Sequence, residues 1–208
     1  MSEVPAESAT SGYVAMIGNG ESATISRYLT PLLAHRWSPR SFDCSHAVDD
    51  EEVDALLEAA RWAPSSRNGQ SRRFVIGRRG GPLFGRIAGT LSGRNAQWAP
   101  NASLLIVAIL LREDEQGRAL RFAEYDLGQA IAHMGVQAEA LGLRMRQMGG
   151  FDREALSTAL SLAGSHEPFL IAAVGRQAPA DRLDAELAAR EVAERVRLPL
   201  DVIVLSRD

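Results

Sequence analysis

The segment HRWSPRSF at residues 35–42 sets two guanidinium side chains, Arg36 and Arg40, on either side of Ser38 and Pro39. A residue that precedes proline is pushed out of the helical region, so Ser38 is expected to be extended, with its hydroxyl and backbone open to another group. Guanidinium forks and a hydroxyl together form a donor set for a phosphate or similar anion. The same arginines would also suit the last turn of a helix, where cations favour the dipole and no ligand is needed. A second basic run, Arg72, Arg73, Arg78 and Arg79, reads as a solvated surface or at most an anion site. Asn68 and Gln70 after Pro64, and Gly149–Gly150 before Asp152, are turn signals when each is taken alone.

Composition narrows the chemistry. All 23 basic residues are arginine. The absence of lysine excludes a lysine Schiff base and a P-loop lysine. Cys44 is the single cysteine, so no internal disulfide can form, and the chain suits a reducing compartment. His35, His46, His133 and His166 lack metal-ligand spacing, and no metal site is expected. No G-x-G-x-x-G follows a strand and no G-x-S-x-G occurs, which speaks against a Rossmann dinucleotide site and weakens a hydrolase. A net charge of −3 gives no general footprint for nucleic acid. No basic, then apolar, leader opens the chain and no run reaches membrane-helix length, so a cytoplasmic protein without a membrane or nucleic-acid partner is expected.

The elements that must position these residues follow from periodicity. Residues 1–22 read as a flexible extension and 23–208 as one domain, since 208 residues suffice for a single sizeable core. Ile25 to Ala34 suits a short helix, with Pro31 in its first turn or at a break. DDEEVDALLEAARWA has an acidic start and an apolar stripe, a helix that Pro64 ends. RFVIG and SLLIVAILL have strand length, with PLFGRIAGTL helical between them. Leu120 to Leu141 forms a long helix, apolar on most sides and therefore buried in a core or against another subunit. RMRQMGGFD leads into a helix capped by Asp152; FLIAAVG is a buried strand, DRLDAELAAREVAERV a helix and PLDVIVL a final strand. Helices and strands without regular βαβ alternation point to an α+β fold.

Five segments in this order, RWSPRSF, EAARWAPSSRNGQSRRFVI, GLRMRQMGGFD, EPFLIAAVGR and RVRLPL, resemble those of the FMN-dependent nitroreductase family, from about Ile25 to the end of the chain. A-P-S-x-x-N-x-Q, here Ala63 to Gln70, is the most specific of them. The resemblance implies a central mixed or antiparallel sheet flanked by helices, in an interlocked homodimer with a C-terminal strand extension. It implies an FMN bound between subunits. Arg36, Trp37, Ser38 and Arg40 correspond to the first flavin-binding segment, with Arg36 and Ser38 toward the phosphate and ribityl end and Arg40 near N1 and O2. Pro64, Ser65, Ser66 and Asn68 correspond to the segment given by the other subunit, and Asn95 to a contact of the flavin pyrimidine. Gln147, Met148, Gly149 and Gly150 correspond to the backbone that faces N5 and O4, and Arg195 and Arg197 to a pair that closes on the phosphate.

The implied activity is a two-electron oxidoreductase in which NADPH or NADH gives hydride to flavin N5 and a nitroaromatic, quinone or similar small electron-poor acceptor then takes it, by ping-pong kinetics. No side chain is named as catalytic, because the flavin carries the chemistry. A flavin-dependent dehydrogenase or ene-type reductase acting on a small metabolite, and a flavin-binding protein without turnover, are the alternatives. Ser71–Arg72 departs from the Pro-Trp of many relatives, which puts the packing beside that segment in question. Trp98 is a candidate substrate contact or a core residue, and Trp37 raises the same choice.

Overall fold

A computed structural model describes residues 28–208, so the 1–22 extension and the start of the helix expected from Ile25 lie outside the described residues. Helix α1 (Pro31–His35) is followed by α2 (Asp50–Trp62), strand β1 (Arg72–Arg78), α3 (Pro82–Ala88) and the short α4 (Asn95–Trp98). Strand β2 (Leu104–Leu111), helix α5 (Ala123–Ala140), β3 (Arg144–Met148) and α6 (Arg153–Leu160) come next. Strand β4 (His166–Gly175), α7 (Ala185–Glu191) and a single turn, α8 (Leu200–Ile203), complete the chain.

Local chemistry starts the helices, and the one expected over 181–196 is shorter than that, Ala185–Glu191, beginning after Asp184. Asp49 accepts from the Glu52 backbone N–H at 2.8 Å while the Glu52 carboxylate accepts from the Asp49 N–H at 3.0 Å. This reciprocal capping box satisfies two donors that the first turn of α2 cannot bond internally. Asp152 and Asp184 cap α6 and α7 in the simpler way, accepting from Ala155 and Leu187 backbone N–H groups. Pro31 stands at the start of α1, where its missing N–H costs nothing.

The four strands form one antiparallel sheet in the order β1-β2-β4-β3. Strand β2 is central, and its residues alternate between two cores. Leu104, Ile106, Ala108 and Leu110 pack with Val53, Leu56 and Ala60 of α2 and Leu127, Ile131 and Met134 of α5. Leu105, Val107 and Ile109 face Phe84, Ile87, Trp98, Leu156 and Leu187 on the other side. Burial on both faces explains why β2 is apolar at every position although its pairing is antiparallel.

Of the mixed or antiparallel sheet expected, the antiparallel form is found, with no parallel pair among the described strands. Two expectations are corrected. Residues 144–148, expected only as a lead-in, form the edge strand β3, in register from Arg144 opposite Gly175 to Met148 opposite Ile171. Its two methionines are three residues apart and enter different cores, so no period-2 pattern marks it. The final strand expected at PLDVIVL is instead a helical turn with exposed side chains, because no strand of the sheet reaches it to pair its backbone.

Helix α5 is buried along Ala123, Leu127, Ala130, Ile131, Met134 and Ala138, while Tyr125, Gly128 and Ala132 are exposed on its other side. Its burial is therefore partial within one chain.

Gly77 of β1 sits against the first turn of α3, where an added Cβ would lie 2.8 Å from both Cα and N of Phe84. Backbone cannot yield as a side chain tip can, so Gly77→Ala is expected to destabilise the protein by about 1–3 kcal/mol. Gly85 in α3 has open space at its Cβ position, and Gly85→Ala should stabilise by about 0.5–1 kcal/mol. Thermal unfolding should show Tm falling in the first variant and rising in the second; equal Tm values would refute the close approach of β1 to α3.

Candidate functional site

The edge of the sheet at β3 gathers Arg36, Arg40, Arg195 and Arg197, while Arg72, Arg73, Arg78 and Arg79 lie in or next to β1 at the other edge. Arg36 follows α1 directly and donates from Nη1 to Ser38 Oγ at 3.2 Å. Arg195 reaches back from the C-terminal segment, donating to the Ala34 carbonyl at 2.7 Å with its guanidinium 5.7 Å from the centre of the Trp37 ring. Burial first, then the like charges of Arg36 and Arg197, hold the Arg195 guanidinium below its ordinary value; Arg144 adds to them and Glu139 opposes. Glu139, buried on α5, is bonded by Arg144. Positive charge thus converges here from residues 36, 144, 195 and 197.

The strip continues along β3. Arg146 donates to the Ser38 carbonyl and lies 5.5 Å from the centre of the Trp98 ring. Burial and the Arg40 charge keep its guanidinium below the ordinary value, and Glu191 partly restores it. Glu191, at the end of α7, is itself buried. Its carboxylate accepts from the Arg40 N–H at 2.9 and 3.0 Å and from the Ser41 N–H at 3.2 Å, with Arg40 Nη1 3.9 Å away. Beyond Trp98, helix α4 presents Asn95, whose Nδ2 donates to the Gly150 carbonyl at 3.2 Å. A Cβ on Gly150 would stand 2.9 Å from that nitrogen, so a larger residue there would displace the Asn95 amide from this position. Gly149 is exposed, and Gln147 beside it is exposed as well.

Arg36, Trp37, Ser38, Arg40, Asn95, Gln147, Gly149, Gly150, Arg195 and Arg197 therefore lie along, or next in chain to, one connected strip. Met148 turns its side chain into the core, leaving only its backbone to the strip. Trp98 is 1% exposed and stacks on Phe42 with ring centres 6.2 Å apart, which makes it a core residue and removes it as a substrate contact. Trp37 is half-buried under Arg195.

Pro64, Ser65, Ser66 and Asn68 are elsewhere, just before β1 and off the opposite edge of the sheet. Three inter-strand spacings separate β1 from β3, about 14 Å. The Ser66 N–H donates to both oxygens of buried Asp126 on α5, at 3.0 and 3.1 Å. Ser65 Oγ accepts from the Gln70 N–H at 3.2 Å. These bonds hold Arg67, Asn68 and Gln70 at φ of 51°, 57° and 46°, left-handed values that cost free energy in non-glycine residues. The segment borders an open polar cleft of about 1,100 Å³, shared with Arg73, Arg118 and His166.

The departure at Ser71–Arg72 has a structural answer. Arg72 folds back and donates to the carbonyls of Arg61 and Ala63, the unpaired end of α2. Burial draws its guanidinium below the ordinary value while Asp126 opposes that change. Arg72 thus fastens the segment from below in place of an aromatic ring.

Sequence reasoning missed Asp126, Arg146 and Glu191. Asp126 and Glu191 fall one position from Leu127 and four from Leu187, on stripes that are otherwise buried and apolar. A carboxylate on a core stripe was the available signal.

The nitroreductase family model matches residues 33–81 and 87–176, and the chain belongs to that family. It is similar to a 15.4 kDa protein in the ask 5′ region of Mycolicibacterium smegmatis, 33% identical over 142 residues, which are 64% of this chain and 95% of that protein. Among solved structures it is similar to an oxidoreductase containing FMN, with 29% identity, a TM-score of 0.82 and coverage of 90% of this chain and 96% of the other. A Desulfovibrio desulfuricans protein solved in complex with FMN shares 25% identity and a TM-score of 0.66, over 85% of this chain and 95% of its own. The family and these neighbours make the chain a flavin-type oxidoreductase. Among the described residues no helix is long and apolar enough to cross a membrane.

Removing the Asp126 carboxylate would leave the Ser66 N–H and the buried Arg72 without their acceptor and counter-charge. Asp126→Ala is expected to cost about 1–3 kcal/mol. Tryptic cleavage at Arg67 should also speed up. Unchanged Tm and cleavage rate would show that Asp126 does not hold this segment.

Proposed function

We propose that this chain is an FMN-dependent reductase working as a homodimer, with the β3 strip of one copy and the residue 64–68 segment of the other forming each site. The approach of Arg36, Arg144 and Arg197 to Arg195, with the buried carboxylate of Glu139 beside it, carries this reading: such a run of guanidinium groups suits an anion, and the FMN phosphate is close to doubly negative. The donor set fits the rest of the cofactor too. Arg36 and Ser38 suit the phosphate and ribityl end, Arg40 and Asn95 the pyrimidine edge, and the backbone of Gln147 to Gly150 the side bearing N5. When bound, FMN would supply two-electron hydride chemistry, with NADPH or NADH as donor and a nitroaromatic, quinone or similar electron-poor molecule as acceptor.

The chain's own part is to bind and to orient. Arg195, laid on Trp37 and tied to Ala34, presents a preset charge to the phosphate end. Arg40, its backbone held by Glu191, presents positive charge where the pyrimidine gains negative charge. Exposed Gly149 leaves room above the strip for a donor and then an acceptor to occupy one place in turn. Dimerisation is supported by two exposed apolar features. Val192, Val196, Leu198, Leu200, Ile203 and Leu205 leave the C-terminal segment largely uncovered, with Leu205 96% exposed. Tyr125 and Ala132 on the open side of α5 add to this surface. The cytoplasm, residues 23–208 as one domain, and the absence of nucleic-acid and membrane partners belong to the same proposal.

The test is an anaerobic visible spectrum of the purified protein with FMN, before and after NADPH or NADH. Flavin bands that bleach with either nicotinamide support the proposal. Bands that persist with both, but bleach with a small metabolite, would replace it by a dehydrogenase. Failure to take up FMN would refute it. Arg36→Ala removes a charged hydrogen bond worth about 1.5–3 kcal/mol, so its Kd for FMN should rise roughly ten- to a hundredfold.

A further inference from the structure

The arginines of the strip are not all of one kind. Arg36, Arg195 and Arg197 stand at one end, while at the other a buried carboxylate bonds the Arg40 backbone and lies within the field of Arg146. Glu191 comes from α7, 150 residues away in sequence from the Ser41 N–H it accepts. Side-chain exposure is 2% for Glu191 and 16% for Arg40. A carboxylate so deeply buried must meet cations and donors, and here it meets both: two backbone N–H groups, the Arg40 guanidinium, and the field of Arg146. Arg146 in turn fixes the Ser38 carbonyl and covers Trp98. Two cations and one anion leave about one net positive charge behind the Ser38–Ser41 loop.

We propose that Glu191 is a positioning residue that sets the reduction potential of the site: its carboxylate holds the Arg40–Ser41 backbone and offsets the charges of Arg40 and Arg146, so that bound flavin meets the remainder. The inference rests on the FMN reading above. It adds that the positive field at the pyrimidine edge is moderated from within the chain by one carboxylate. Removing that negative charge should favour two-electron-reduced over oxidised FMN, and removing the Arg146 charge should do the opposite.

Glu191→Gln is the informative change. Both backbone N–H groups bond Oε1 of Glu191, so a glutamine oxygen can keep both while the charge is lost. The full-length chain, reconstituted with FMN, is titrated anaerobically against a redox dye, and FMN affinity is read from flavin fluorescence. Glu191→Gln should raise the ratio of affinities for reduced and oxidised FMN about tenfold, a shift of about 30 mV to more positive potential for a two-electron couple. Arg146→Met should move the potential in the negative direction. Opposite signs separate the charge effect from simple loosening of the loop, which would move both variants alike. Shifts of the same sign, or none in either variant, overturn the inference while leaving FMN binding intact. Should Glu191→Gln fail to fold, Arg146→Met decides alone, and no negative shift overturns it. Wild-type protein that binds no FMN would remove the FMN reading and this inference together.

Discussion

Holding several guanidinium groups close together is the constraint on which the β3 edge depends. Two like charges about 5 Å apart at an effective dielectric near 20 repel by about 3 kcal/mol. Where Arg36, Arg195 and Arg197 approach one another, geometry is fixed by a carbonyl and a tryptophan face at Arg195 and by a hydroxyl at Arg36. Glu139, engaged by Arg144, eases the field at Arg195 in part. In the proposed FMN site an arriving phosphate would ease it further.

The sheet makes the arrangement possible by burying its middle completely. With β2 covered on both faces, polar groups can gather only at the edges, and the two edges carry different chemistry. At β3 the groups are cationic and tied to secondary structure through Arg144 and Arg146, which are strand residues. At β1 the backbone and hydroxyls of a strained loop, held by Asp126 and Arg72, border a cleft shared with Arg73 and Arg118. Neither edge alone offers both a phosphate site and a second wall. A two-fold assembly that sets one edge of a copy against the other edge of its mate would supply both with no further residues.

Much of this was legible in the sequence where one local rule decided the outcome. Asp152 announced one helix start and the acidic run at 49–52 another, because capping and end charge act locally. The apolar run at 104–111 announced a fully buried strand for an equally simple reason. What stayed hidden depended on distant partners. Strand β3 exists because β4 offers it a paired edge, and its sequence RMRQM carries no signal of that. The turn at 200–203 has strand-like composition but no strand beside it. Most of the candidate strip was readable as separate fragments, and the ordered set of motifs joined them. Glu191 and Asp126 could be noticed as carboxylates on buried stripes, but their roles were not readable, since each acts through a loop far away in the chain.

The position of Glu191 ties two properties of the molecule together. It ends α7, and the chain beyond it first supplies Arg195 to the Ala34–Trp37 region and then runs out as an exposed apolar segment. The loop that carries Arg36, Ser38 and Arg40 is therefore held from behind by the very stretch that leads into the uncovered segment. If that segment packs on a second copy, its docking restrains Arg195 and Glu191, and through them the loop. Linkage then requires the converse: a ligand that prefers the ordered loop also favours the docked segment, by the same free energy. Cofactor binding and assembly would be two readings of one equilibrium, joined by two side chains four residues apart, one negative and buried, the other positive and half-buried.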